Sequence, residues 1–149
     1  MSKARPLFPE FAGMLKAALG DIVDPAAVDF LDLMAEDAVM EFPFALPGGP
    51  QKVEGRAQLE AYLRPLDGLL AIESHTGPTV HRSTNPNVVI LEFSVKGRVV
   101  SNGLLYDQTY ISVLTLKDGK IANFRDYWNP LVTQRLVASG SEIANVNEG

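Results

Sequence analysis

Residues 110–130 read YISVLTLKDGKIANFRDYWNP. Asp118-Gly119 is a strong two-residue turn signal, and apolar residues alternate on both sides of it. The stretch predicts a β-hairpin. Its first strand begins upstream and carries Tyr106, Gln108, Tyr110, Ser112, Leu114 and Leu116 on one face. Its second runs over 120–129 and is stopped by Pro130. Alternate residues of a strand share a face. Phe124, Asp126 and Trp128 therefore point one way, and Arg125, Tyr127 and Asn129 the other. A carboxylate beside two large aromatics needs a reason. Either that face is solvated and the aromatics are misplaced, or it lines a cavity in which the carboxylate works.

Upstream, VVILEFSVKGRVV (88–100) reads as a strand with Val89, Leu91, Phe93 and Val95 in phase. LLAIESHTGPTVHR (69–82) reads as another, broken near Gly77-Pro78, and NPN (85–87) makes the turn between them. The first half of the chain is mainly helical. Residues 8–20 space Phe8, Phe11, Leu15 and Leu19 as one helical stripe. VDPAAVDFLDLMAED (23–37) predicts a second helix, with Asp24 as N-cap, Pro25 in the first turn and a stripe of Val28, Leu31 and Met34. AVMEFPFA (38–45) predicts a short strand with Met40, Phe42 and Phe44 in phase, and LPGGP (46–50) a loop. VEGRAQLEAYLRPL (53–66) predicts a third helix, starting near Gly55 and ending by Pro65. NPLVTQRLVASG (129–140) suits a short terminal helix before a polar tail. Three helices with one early strand, then four antiparallel strands, is an α+β order: helices packed on one face of a curved sheet. The Tyr106–Leu116 row drifts from polar-aromatic to aliphatic, which predicts a pocket at one end and solid core at the other.

The chain of 149 residues suits one domain, 1–149, with a core over about 8–138. A net charge of −5 leaves no basic footprint for nucleic acid, and no Lys/Arg cluster addresses a membrane surface. The absence of Cys excludes disulfides and thiolate metal sites, and two His argue against a multi-histidine site. No apolar run approaches the roughly 20 residues of a membrane span, and MSKARPLFPEFAGML lacks a signal-peptide core. The expectation is a cytoplasmic domain that uses neither metal nor organic cofactor.

The order of elements, with AEDAVMEFPFA, then VEGRAQL, then KDGKIANFRDYWNP, resembles the nuclear transport factor 2-like superfamily. Within it the chain resembles the SnoaL-like branch of polyketide cyclases, with the phenazine-biosynthesis A/B-type proteins as the nearest likeness. The resemblance spans roughly residues 10–135. It implies a cystatin-like cone, a curved mixed or antiparallel sheet wrapped by three N-terminal helices around a deep apolar pocket. It also implies a homodimer formed through the open sheet face. In the phenazine-type proteins an acidic residue before the final Asn-Pro is catalytic, a role that maps onto Asp126. A pocket histidine maps onto His75, and a site amide onto Gln108. Ketosteroid isomerases carry their base where Phe42 stands here, their oxyanion-hole aspartate near Ser112 and their tyrosine near Ala18. Their chemistry is therefore not implied. Asp21 and Asp24 lie near the aspartate that dehydratase-type members pair with their histidine.

Asp126 and His75 are thus the candidate catalytic pair, for general acid/base chemistry on a small apolar or aromatic carbonyl compound. A buried carboxyl has its charged form disfavoured and its pKa raised, which suits that role. Tyr106, Gln108 and Tyr110 are candidates to orient the ligand, and Phe42, Phe93 and Trp128, with Met40 and Phe44, to wall the pocket. Each has a plainer reading: a carboxylate paired with Arg, a satisfied strand histidine, ordinary cross-strand packing. Glu92, Arg125 and Tyr127 are expected on the outer sheet face, with Arg125–Glu92 as a candidate pair. His81 and Arg56 read as surface residues. The reaction would be an isomerisation, cyclisation, dehydration or condensation. The alternative is a binding or dimerisation module that keeps the pocket without turnover.

Overall fold

The computed structural model describes residues 5–139. The hairpin forms as the alternation dictates. Strand β5 (Leu105–Lys117) turns at Asp118-Gly119, both at positive φ (53° and 79°), into β6 (Lys120–Trp128). Every second residue of β5 from Tyr106 is covered, while its alternates are largely exposed. Strands β3 (Leu70–Arg82) and β4 (Val88–Val99) complete an antiparallel meander. Strand β3 shifts register between Thr76 and Thr79, at the Gly77-Pro78 break.

Strand β1 (Met34–Glu41) lies on the far side of β6 and runs parallel to it, pairing Met40 with Phe124. Strand β2 (Lys52–Glu54) pairs antiparallel with β1 and is too short to show an alternation in sequence. The result is one six-stranded curved sheet in the order β2-β1-β6-β5-β4-β3, an α+β fold of mixed strand direction. Helices α1 (Pro9–Leu19), α2 (Phe30–Leu33) and α3 (Arg56–Leu69) contribute to one core with the covered face of the sheet. Helix α4 (Pro130–Ala138) follows β6 directly. The expected polar tail lies outside the described residues.

Three local expectations are corrected. The second helix is a single turn. Asp24 caps no helix: its carboxylate accepts from Ala26 N–H at 2.9 Å in a local turn, and Val28 is 64% exposed. The N-cap is Asp29, in extended backbone, which accepts from Asp32 N–H at 2.9 Å. The first strand consequently starts at Met34, four residues early, because Met34 already pairs with Ile121 of β6. The third helix runs through Pro65 to Leu69. Buried Leu59 and Leu63 hold it on the sheet, and packing of an apolar stripe outweighs a lost backbone donor.

The core is graded along the sheet. Val89, Leu91, Leu114, Leu116 and Ile121 are closed off together with Leu15, Leu19 and Leu33. Towards the start of β5 the covered side chains become Tyr110 and Tyr106, which line a cavity.

Candidate functional site

The sheet register assembles the site in two adjacent rows. Phe93 of β4 pairs with Tyr110 of β5, which pairs with Trp128 of β6. The next row is Leu91, Ser112 and Asp126. A cavity of about 780 Å³ lies over the aromatic row, between the sheet and helices α1 and α3. Asp126, His75, Tyr106, Tyr110, Phe42, Phe93 and Trp128 all line it. The rings brace one another. Phe93 stacks on Tyr110 with centroids 5.1 Å apart, and Phe42 sits 5.2 Å from Tyr62 and 5.3 Å from Trp128.

Asp126 opens into this cavity. Ser112, which is fully buried, donates to its Oδ1 at 3.3 Å, and no ion pair engages it among the described residues. It is half-buried and lines the cavity. Burial raises its pKa to about 8, against the opposing pull of the Ser112 hydrogen bond. At neutral pH the group is mainly a carboxylic acid, able to donate a proton or a hydrogen bond.

Three phenols surround it. Tyr106 and Tyr110 share a hydrogen bond between their hydroxyls at 2.5 Å. Burial pushes Tyr106 up to about 12 and Tyr110 well above the ordinary tyrosine value. Tyr62 is raised by burial and then by the nearby Asp126 charge. All three stay protonated at neutral pH, so the polar part of the cavity is rich in hydroxyl donors. His75 is an exposed residue of β3, opposite Val95, and reaches the cavity from that side.

Gln108 is corrected. It lies on the same strand face as the tyrosines but does not line the cavity. Its side chain is 2% exposed, touches the Tyr106 hydroxyl and is otherwise held by backbone. Oε1 accepts from Asn129 N–H at 2.9 Å, and Nε2 donates to the Asn129 carbonyl at 3.2 Å. Phe44 is corrected too. It is 50% exposed and packs edge-on against Tyr127, because β1 ends at Glu41 and Phe42 is the last residue to keep its inward phase. Glu92 pairs with His81 at 2.5 Å rather than with Arg125, whose guanidinium sits 6.0 Å from the Tyr127 ring centre.

Tyr62, Thr133 and Leu136, which no motif in the sequence marks as site residues, also line the cavity. Tyr62 was within reach, since it falls three residues after Leu59 on the apolar side of α3. At one margin, Asp67 accepts from Phe8 N–H at 3.5 Å and pairs with Arg5 at 3.6 Å. This ties the N-terminal segment to α3.

Residues 22–124 match the SnoaL-like domain family. The uncharacterized protein YesE of Bacillus subtilis (strain 168) is 39% identical over 127 residues, 85% of this chain and 86% of that one. An uncharacterized PhzA/B-like protein of Pseudomonas aeruginosa is 37% identical over 100 residues, 67% of this chain and 70% of that one. A solved structure from Bacillus subtilis, provisionally called an isomerase, superposes with a TM-score of 0.72 at 38% identity, covering 87% of this chain and 90% of that one. No described helix is long and apolar enough to cross a membrane.

Proposed function

The chain belongs to the SnoaL-like domain family, and on that premise we propose that it is a small-molecule enzyme working by general acid/base catalysis. Its substrate class is a flat, largely apolar carbonyl compound. The observation that carries this reading is Asp126, a carboxyl group facing an aromatic cavity with a serine hydroxyl for a partner and no ion pair among the described residues. A structural carboxylate would be paired or hydrogen-bonded on several sides. One whose neutral form is favoured at pH 7 is suited to give a proton to a carbonyl oxygen. As it does so, His75 takes a proton from the carbon next to the carbonyl, and an enol results. Where the ketone is unsaturated, His75 returns its proton to the far carbon of the dienol while the enol O–H gives its proton back to Asp126, which completes an isomerisation. Where a hydroxyl stands on the next carbon, it leaves as water with the His75 proton while the enol O–H reprotonates Asp126, which completes a dehydration. Attack of the enol carbon on a second carbonyl closes a ring or condenses two molecules. Tyr110, held by Tyr106, orients the carbonyl oxygen.

The test is a thermal-shift screen of aryl and alicyclic ketones on wild type and Asp126→Asn, followed by turnover assays on each ligand that stabilises both. The expected result is conversion by wild type and a loss of about 10²–10⁴-fold in rate for the amide. Stabilisation without turnover by wild type supports the binding module instead. We also propose a homodimer across the outer sheet face, where Ile111 is 41% exposed between the Glu92 and Tyr127 positions of the flanking strands. A monomer in light scattering at micromolar concentration overturns it.

A further inference from the structure

We propose that helix α4 is the wall that sets the length of ligand the cavity accepts, and that Gln108 is the positioning residue for that wall. The inference rests on the reading of the cavity as a ligand site. Thr133 and Leu136 of α4 both line the cavity, and both are buried, at 9% and 1% exposure. They are spaced three apart, so they present one helix face to it. That face closes the Tyr106 end, where Tyr106 joins Val99, Val132 and Leu136 in a small cluster separate from the main core. Helix α4 therefore docks by a short apolar patch of its own rather than as part of the large core.

A nine-residue helix on a small patch needs its start fixed, because isolated helices of that length are marginal. Two devices fix it. The Asn129 side chain caps the helix by accepting from Leu131 N–H at 3.0 Å. Gln108 holds the same residue by its backbone, accepting from Asn129 N–H and donating to its carbonyl. The Gln108 Oε1 also accepts from Thr109 N–H at 3.1 Å, so the amide is pinned at both ends. The buried amide thus links the strand that carries Tyr106 and Tyr110 to the helix that carries Thr133 and Leu136. Shifting α4 would move one end of the cavity and leave Asp126 on its strand.

The experiment uses three methyl ketones of increasing length: acetophenone, 2-acetylnaphthalene and 2-acetylphenanthrene. Binding is read from the fluorescence of Trp128, the sole tryptophan, which lines the cavity. Leu136→Ala should move the tightest binder to a longer ketone, changing the long-to-short affinity ratio at least 10-fold. Thr133→Leu should move it the other way. Gln108→Met should flatten the ratio towards one and speed amide exchange over 131–138. A purely structural glutamine would lower Tm and leave the ratio as in wild type. If wild type binds and the folded Leu136→Ala and Thr133→Leu proteins keep its order of preference, the inference is overturned and the ligand site stands. If wild type binds none of the three, the ligand-site reading fails and takes this inference with it.

Discussion

Asp126 is held among aromatic rings with one hydroxyl for company, and that arrangement has a consequence for stability as well as chemistry. Its pKa is near 8 when folded and close to the ordinary 3.8 when exposed. Between those values the folded chain binds a proton that the unfolded chain has lost. The neutral carboxyl therefore contributes fully below about pH 4, and the contribution is lost as pH rises to about 8. Each unit of displacement is about 1.4 kcal/mol. Asp126→Asn keeps an acceptor for Ser112 and removes the titration. Urea denaturation should show the two proteins alike near pH 4 and the amide more stable at pH 9, by at least about 2 kcal/mol. A difference that does not vary with pH would mean that Asp126 is solvated. The alternation of β6 was enough to place this residue with Phe124 and Trp128 from sequence, because strand phase is local. The fate of Gln108 was not legible, because its partner is the backbone of Asn129, 21 residues away on another element.

The same contrast between local and distant signals separates the elements. Strands β3 to β6 were readable because alternation and turn residues are written in consecutive positions. Helix α2 was misread because Asp24-Pro25 carries the letters of a helix start, while the chain uses Asp24 for a turn and an ion pair with Lys120. Asp29 is the true cap, and it is recognisable only through its second role. Its other oxygen accepts from Leu7 N–H at 2.8 Å, across 22 residues. Its burial, at 8% exposure, makes that double use consequential. Asp29→Ala leaves the Leu7 and Asp32 amides without their acceptor and should cost about 2–3 kcal/mol. It should also speed hydrogen exchange at Leu7, next to the Pro6 and Phe8 that line the cavity. Asp24→Ala should cost less, because its partners are near solvent. An equal loss for the two variants would return the cap to Asp24.

At the scale of the molecule, the decisive property is that one end of the fold is filled and the other is hollow. The drift of β5 from tyrosine to leucine marked the two ends in sequence, but the volume between sheet and helices depends on how α1, α3 and α4 stand, and no short window encodes that. Strand β4 offers a controlled comparison, since Val89 and Val95 lie in phase on its inner face. Val89 is fully buried opposite Leu114 in the filled end, whereas Val95 is half-buried and lines the cavity. Close-packed interiors have no room for added atoms, so Val89→Phe should destabilise by about 1–3 kcal/mol. Val95→Phe places the same ring in existing space, where covered apolar area is worth about 25 cal/mol per Å². It should be neutral or stabilising by about 0.5–2 kcal/mol, and it should weaken ketone binding at least 10-fold. Stability of this kind gained at the expense of binding is expected where a cavity is kept open for a ligand. Denaturation midpoints with unchanged m-values would check both variants, and equal losses at the two positions would show that the Tyr106 end is packed as tightly as the rest.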